Sequence, residues 1–125
     1  MVTLELESLS KLVSRMREIS LREPKSLVGR ALKLAEECGE VASEVTKLDG
    51  KSQKEPDVKH LIEELVDVVQ CSFSMLLYIE NHPDFSWDEV IALAHSKLDK
   101  WEDVIPRYTK YPDIRKEQNE HFTRG

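Results

Sequence analysis

Glycine and proline are scarce in this chain: four glycines and five prolines among 125 residues. So few turn-forming positions argue against a turn-rich, all-β architecture. Pro24, Pro56, Pro83 and Pro106 stand far apart, and apolar residues recur at helical spacing between them. There are two cysteines, Cys38 and Cys71, each isolated within a helical pattern. They fit neither a zinc spacing nor a disulfide framework, so a reducing, cytoplasmic compartment is the expected setting. Long hydrophobic runs are missing too. The longest apolar stretch, residues 65–79, is too short to span a bilayer and contains Asp67 and Gln70. Residues 1–12 carry acidic side chains and no apolar core of the right shape, which predicts no secretory leader. A basic excess is also absent. The net charge is −6 and the isoelectric point about 5.3. Such a surface argues against nucleic-acid polymers and anionic membranes as partners. A small anionic substrate remains compatible, because a bound divalent metal reverses the local sign of charge.

What is present is helical. The spacing predicts a first helix over 4–20, with Leu6, Leu9, Leu12, Val13, Met16 and Ile19 as its buried stripe. A second runs from near Ser26 to Leu48, where Asp49 and Gly50 supply a stop. After a polar loop, Pro56 and Asp57 start a third that reaches about Glu80. Ser86 and Glu89 form a capping-box pattern for a fourth, which ends before Pro106. The expected fold is all-α, a four-to-five-helix bundle completed by dimerisation. The helical domain occupies 1–105, and 106–125 reads as a polar tail or lid. The third helix is apolar over more than half its circumference and needs cover on two sides, which a two-fold dimer provides.

Two acidic pairs stand out. The run KLAEECGEVASEV puts Glu36, Glu37, Glu40 and Glu44 on the second helix, and IEELVDVVQ puts Glu64 and Asp67 on the third. Glu37/Glu40 and Glu64/Asp67 are each three residues apart, so each pair shares one helix face. Advancing about 100° per residue separates the acids further. On the second helix the apolar arc is Ala31, Leu34, Ala35, Cys38, Val41, Ala42, Val45 and Leu48, with Glu37 at its edge and Glu44 and Glu40 beside it. Glu36 turns toward solvent. On the third helix Glu64 and Asp67 border a wide apolar arc, and Glu63 points outward. The wheel therefore favours Glu37, Glu40, Glu64 and Asp67. Two carboxylates about 5 Å apart repel by roughly 3 kcal/mol at an effective dielectric near 20. Four cannot converge beside an apolar core without a cation. Oxygen-only donors suit Mg²⁺, with Mn²⁺ as a substitute, better than zinc or copper.

EECGE followed by ELVD resembles the EExxE…ExxD signature of the all-α nucleotide pyrophosphohydrolases. That superfamily includes the MazG-like proteins, the dimeric dUTPases, the dCTP pyrophosphatases and the phosphoribosyl-ATP pyrophosphatases. The resemblance covers residues 26–79. It implies a helical bundle that assembles as a homodimer or homotetramer. It also implies cleavage of nucleoside triphosphates between the α- and β-phosphates, to a monophosphate and pyrophosphate. Carried over, the metal ligands are Glu37, Glu40, Glu64 and Asp67, and Glu36 is the first acid of the catalytic motif. MazG proteins proper carry a Trp-Asp/Gln-Thr region before the first acidic motif, where this chain has Arg22, Glu23, Pro24 and Lys25. It therefore resembles a small MazG-like member. Many relatives also have a Lys…Asn…Arg pattern on the last helix. Lys97 matches the lysine, and Trp101 stands at the asparagine position.

Lys33, Lys97, Lys100 and Arg107 are candidates for contacts to the outer phosphates. Trp101, Trp87, Tyr78 and Phe85 are candidates for stacking on a base, with core packing as the competing role. Glu36 or Glu44 is the candidate base that orients the attacking water. His60 shares the stripe of Glu64 and reads as a capping or supporting residue rather than a ligand. Cys71 reads as a small core residue. A di-iron bundle would need two Glu-x-x-His motifs, which the chain lacks. The remaining alternative is a non-catalytic helical interaction module whose acids form salt bridges.

Overall fold

The computed structural model describes residues 2–48 and 57–105, with side chains from Glu5 onward. Four α-helices follow in order: α1 (Val2–Arg22), α2 (Leu27–Leu48), α3 (Val58–Ile79) and α4 (Trp87–Val104). There is no strand among the described residues, so the fold is all-α. No described helix is long and apolar enough to cross a membrane. The polar loop, its Asp49–Gly50 stop and the tail over 106–125 lie outside the described residues.

The helix starts are set by side-chain caps. The Ser26 hydroxyl accepts from Gly29 N at 3.1 Å and opens α2. Asp57 accepts from the backbone N–H groups of Lys59 and His60 at 3.0 and 3.3 Å and opens α3. Ser86 accepts from Glu89 N at 3.5 Å and opens α4. The chain divides into two compact units, Met1–His82 and Pro83–Gly125. In the second, Trp87 at the start of α4 makes an edge-to-face pair with Phe85, with ring centroids 5.1 Å apart.

In the first unit, α3 packs against both α2 and α1. Helices α2 and α3 run antiparallel: Arg30 meets Ser74 and Tyr78 at one end, and Glu44 meets His60 at the other. The seam between them is not the apolar arc expected from the wheel. The buried residues of α2 are Arg30, Glu37 and Glu44, at seven-residue intervals, with Leu34, Val41 and Leu48 half-buried beside them. Ala31, Ala35, Cys38, Ala42 and Val45 are exposed. Polar residues hold the seam because each finds a partner across it or one turn away, which removes the usual cost of burying them.

The stripe expected on α1 also differs. Leu6, Leu9, Leu12 and Ile19 are exposed, while Val13 and Met16 are half-buried and Ser20 is buried. The contacts of α1 with α3 come from its C-terminal half, through an Arg17–Glu80 ion pair at 3.0 Å and Ser20 against the Ser74 carbonyl. Among the described residues, Leu77 is the buried hydrophobic side chain.

Candidate metal centre

The antiparallel pairing of α2 and α3 brings the two acidic motifs level with one another. Glu37 of α2 and Glu64 and Asp67 of α3 each offer a carboxylate oxygen, and the three lie within 4.8 Å of one another. Glu37 and Glu64 are buried and Asp67 is half-buried. Glu40 is exposed one turn further along α2, near enough for its charge to act on Glu64. Glu36 is exposed on the outer side, as its position on the wheel predicts.

Lys33 reaches back to this cluster. Its Nζ lies 2.8 Å from Glu37 Oε1 and 3.4 Å from Glu36 Oε2. The hydrogen bond to Glu37, with that to Glu36, raises the Lys33 ammonium well above its ordinary value. In return Lys33 holds Glu37 below the usual carboxylate range, against burial. Glu64 moves the other way. Burial pushes it up, the neighbouring charges of Glu37 and Glu40 add to this, and His60 opposes it. A buried acid pushed toward its protonated form beside two others marks a site short of positive charge.

The remaining acid of the seam has its own partners. Glu44 is 2% exposed, and its Oε1 meets Lys47 Nζ at 2.5 Å and His60 Nδ1 at 2.8 Å. A carboxylate so enclosed cannot serve as the outer base suggested for it in the sequence. Burial pushes the Cys71 thiol up, and Glu37 adds to this, so Cys71 is no thiolate nucleophile.

A cavity of about 320 Å³ opens beside the carboxylates. Glu37 and Asp67 form part of its wall, so cluster and cavity are continuous. Lys25, Lys33 and Arg30 supply positive charge, Gln70 and Ser74 supply hydrogen-bonding groups, and α1 contributes Met16 and Ile19. The volume is in the range of small-molecule sites.

The sequence reading missed Arg30. Its guanidinium donates to Ser20 Oγ at 2.6 Å and to the carbonyls of Ser20, Glu23, Lys25 and Ser74 at 3.0–3.3 Å. It also lies over the Tyr78 ring, 4.9 Å from the centroid. Tyr78 is otherwise 50% exposed. The available signal was the seven-residue spacing from Arg30 to Glu37 to Glu44. The expected substrate contacts Lys97, Lys100 and Trp101 are exposed along α4 in the second unit.

Fold and site together give an all-α protein with a cluster of three carboxylates able to hold a metal ion, beside a cavity whose wall carries charged side chains. The profile of the MazG nucleotide pyrophosphohydrolase domain matches residues 25–104, and the chain belongs to that family. It is a nucleotide pyrophosphohydrolase by family, a hydrolase acting on acid anhydrides. No curated protein and no solved structure matches the chain significantly.

Proposed function

We propose that the chain is a Mg²⁺-dependent nucleoside triphosphate pyrophosphohydrolase that cleaves between the α- and β-phosphates, releasing a monophosphate and pyrophosphate. The observation that carries this reading is the convergence of Glu37, Glu64 and Asp67 oxygens within 4.8 Å at the wall of the cavity. An all-oxygen donor set fits magnesium, with manganese as a substitute. Glu37, Glu64 and Asp67 hold the ion, and Glu40 joins from one turn away. When bound, the metal supplies the positive charge that stabilises the leaving pyrophosphate and acidifies the attacking water.

The residues of the chain do the rest. Lys33 exchanges its contact with Glu37 for the triphosphate, a motion its flexible stem permits. Glu36, released from Lys33, orients the attacking water. The cavity between α1, α2 and α3 takes the nucleoside end. Lys97, Lys100 and Trp101 of α4 are further proposed substrate contacts. The assembly is a homodimer or homotetramer, working in the cytoplasm.

The test is pyrophosphate release from a panel of nucleoside triphosphates with Mg²⁺, comparing wild type with Glu64→Gln and Asp67→Asn. Turnover is expected for the wild type and loss of at least a hundredfold for both variants. Equal turnover in all three would remove the carboxylates from the mechanism. A second reading, a non-catalytic interaction module with a vestigial acidic site, draws on the pairing of Lys33 with Glu36 and Glu37 and of Lys47 with Glu44. It predicts no specific rise in melting temperature with millimolar Mg²⁺ or Mn²⁺, whereas a metal site requires one.

A further inference from the structure

His60 joins a buried carboxylate that has no place at the metal to one that does. Its Nδ1 lies 2.8 Å from Glu44 Oε1, and its Nε2 lies 3.0 Å from Glu64 Oε1. Glu44 comes from α2 and Glu64 from α3, so the planar ring spans the seam with one nitrogen on each helix's acid. Glu44 is well fixed. It is 2% exposed, its Oε1 is also held by Lys47, and its Oε2 is buried with no hydrogen-bond partner among the described residues. Burying a carboxylate with one oxygen unsatisfied is unfavourable. Its retention there calls for a return elsewhere, and among the described residues the contact that leads toward the candidate centre is that to His60.

We infer that Glu44 and His60 are positioning residues that hold the Glu64 carboxylate in place to receive the divalent cation. This rests on the reading of Glu37, Glu64 and Asp67 as the metal cluster. The physical logic is rotamer restriction. A glutamate has three side-chain torsions, and holding all three for a ligand sacrifices conformational entropy each time a metal binds. A ring pinned at its far edge by Glu44 fixes one Glu64 oxygen before the metal arrives. Partners of this kind, one step out from the ligand, commonly change metal affinity by about ten- to a hundredfold when removed.

A purely structural tie between α2 and α3 would predict something else: a lower melting temperature with metal affinity unchanged. Two conservative variants separate the roles, because the asparagine amide approximates Nδ1 and the glutamine amide approximates Nε2. His60→Asn retains the group that faces Glu44 and loses the one that faces Glu64. His60→Gln does the reverse. The measurement is Mn²⁺ binding to the full-length, metal-free protein by titration calorimetry, without nucleotide, with a thermal melt of each variant alongside. His60→Asn is expected to weaken Mn²⁺ binding by about tenfold or more. His60→Gln should stay within a few-fold of wild type, and Glu44→Gln should fall between. His60→Ala supplies the same readout should His60→Asn unfold, and added imidazole should restore its Mn²⁺ affinity, since the ring is partly open to solvent. Wild-type affinity in His60→Asn, His60→Ala and Glu44→Gln would overturn the inference and leave the metal centre standing. Absence of Mn²⁺ binding in the wild type would instead overturn the metal centre, and the inference with it.

Discussion

Arg30 Nη1 lies 2.6 Å from Ser20 Oγ, across the junction where α1 ends and α2 begins. The same guanidinium serves four backbone carbonyls drawn from α1, the connection and α3. One side chain therefore ties three helices together at the wall of the cavity. Arg30→Met would leave those carbonyls without their donor. The expected cost is on the order of 3 kcal/mol, measured by urea unfolding of the metal-free protein. Arg30→Lys should recover little of it, because an ammonium lacks the planar fork that reaches several acceptors at once. A loss below about 1 kcal/mol in Arg30→Met would mean that water replaces the fork without penalty.

Lys33 already occupies Glu37, one of the carboxylates proposed to hold the metal. The ammonium sits 2.8 Å from Glu37 Oε1, so a cation held by Glu37 would compete with it for that carboxylate. Lys33→Met should therefore bind Mg²⁺ several-fold more tightly than wild type when no nucleotide is present. With nucleotide the sign reverses, because the lysine is then missing from the phosphates, and the KM for the triphosphate should rise. Calorimetric titration and steady-state kinetics on the same variant give the two numbers. Identical metal affinity in both proteins would place the ion away from Glu37.

Glu44 and Glu64 give opposite pH signatures. The hydrogen bond from Lys47 holds Glu44 below the usual carboxylate range, and Lys33 does the same for Glu37. An acid lowered in the folded state contributes stability that is fully present above its unfolded value and is lost as pH falls through the folded one. Glu64 is raised, chiefly by burial, so its ionisation opposes folding of the metal-free protein as pH climbs from the ordinary carboxylate range through its raised value. Glu44→Gln should flatten the fall in melting temperature below about pH 4. Glu64→Gln should raise the melting temperature of the metal-free protein at neutral pH while it weakens metal binding. Melting curves from pH 3 to 8 with chelator present check both signs.

The helices and their caps were legible in the sequence because their signals are local. Asp57 and Ser86 act on backbone two or three residues away, and Pro24, Pro56 and Pro83 separate the periodic runs. The outward aspect of Glu36 and Glu63 was legible from the angle alone. The seam was not. A helical wheel weighs each side chain by its dislike of water and cannot know its partner on another helix. Arg30 reads as a surface residue until the carbonyls of Ser20 and Ser74 face it. Glu44 reads as an outer acid until Lys47 and His60 enclose it. Tertiary pairing reversed the apparent hydropathy of that face.

The apolar side of α3 yields the last prediction. Ile62, Val66 and Val69 fall at four- and three-residue intervals and form one stripe, with Leu65 beside it. They are 54, 46, 60 and 45% exposed, on the same helix that turns Glu64 and Asp67 into the seam. A continuous apolar stripe of this length is unfavourable in water. A second copy of the chain is the expected cover, since a two-fold axis lays a stripe against itself. Wild-type protein should therefore sediment as a dimer or tetramer at micromolar concentration, and its melting temperature should fall on dilution. Val69→Glu puts two like charges close together across such an axis and should release monomers with a lower, dilution-independent melting temperature. A wild type that is monomeric and insensitive to dilution would show that the stripe is covered from within the chain.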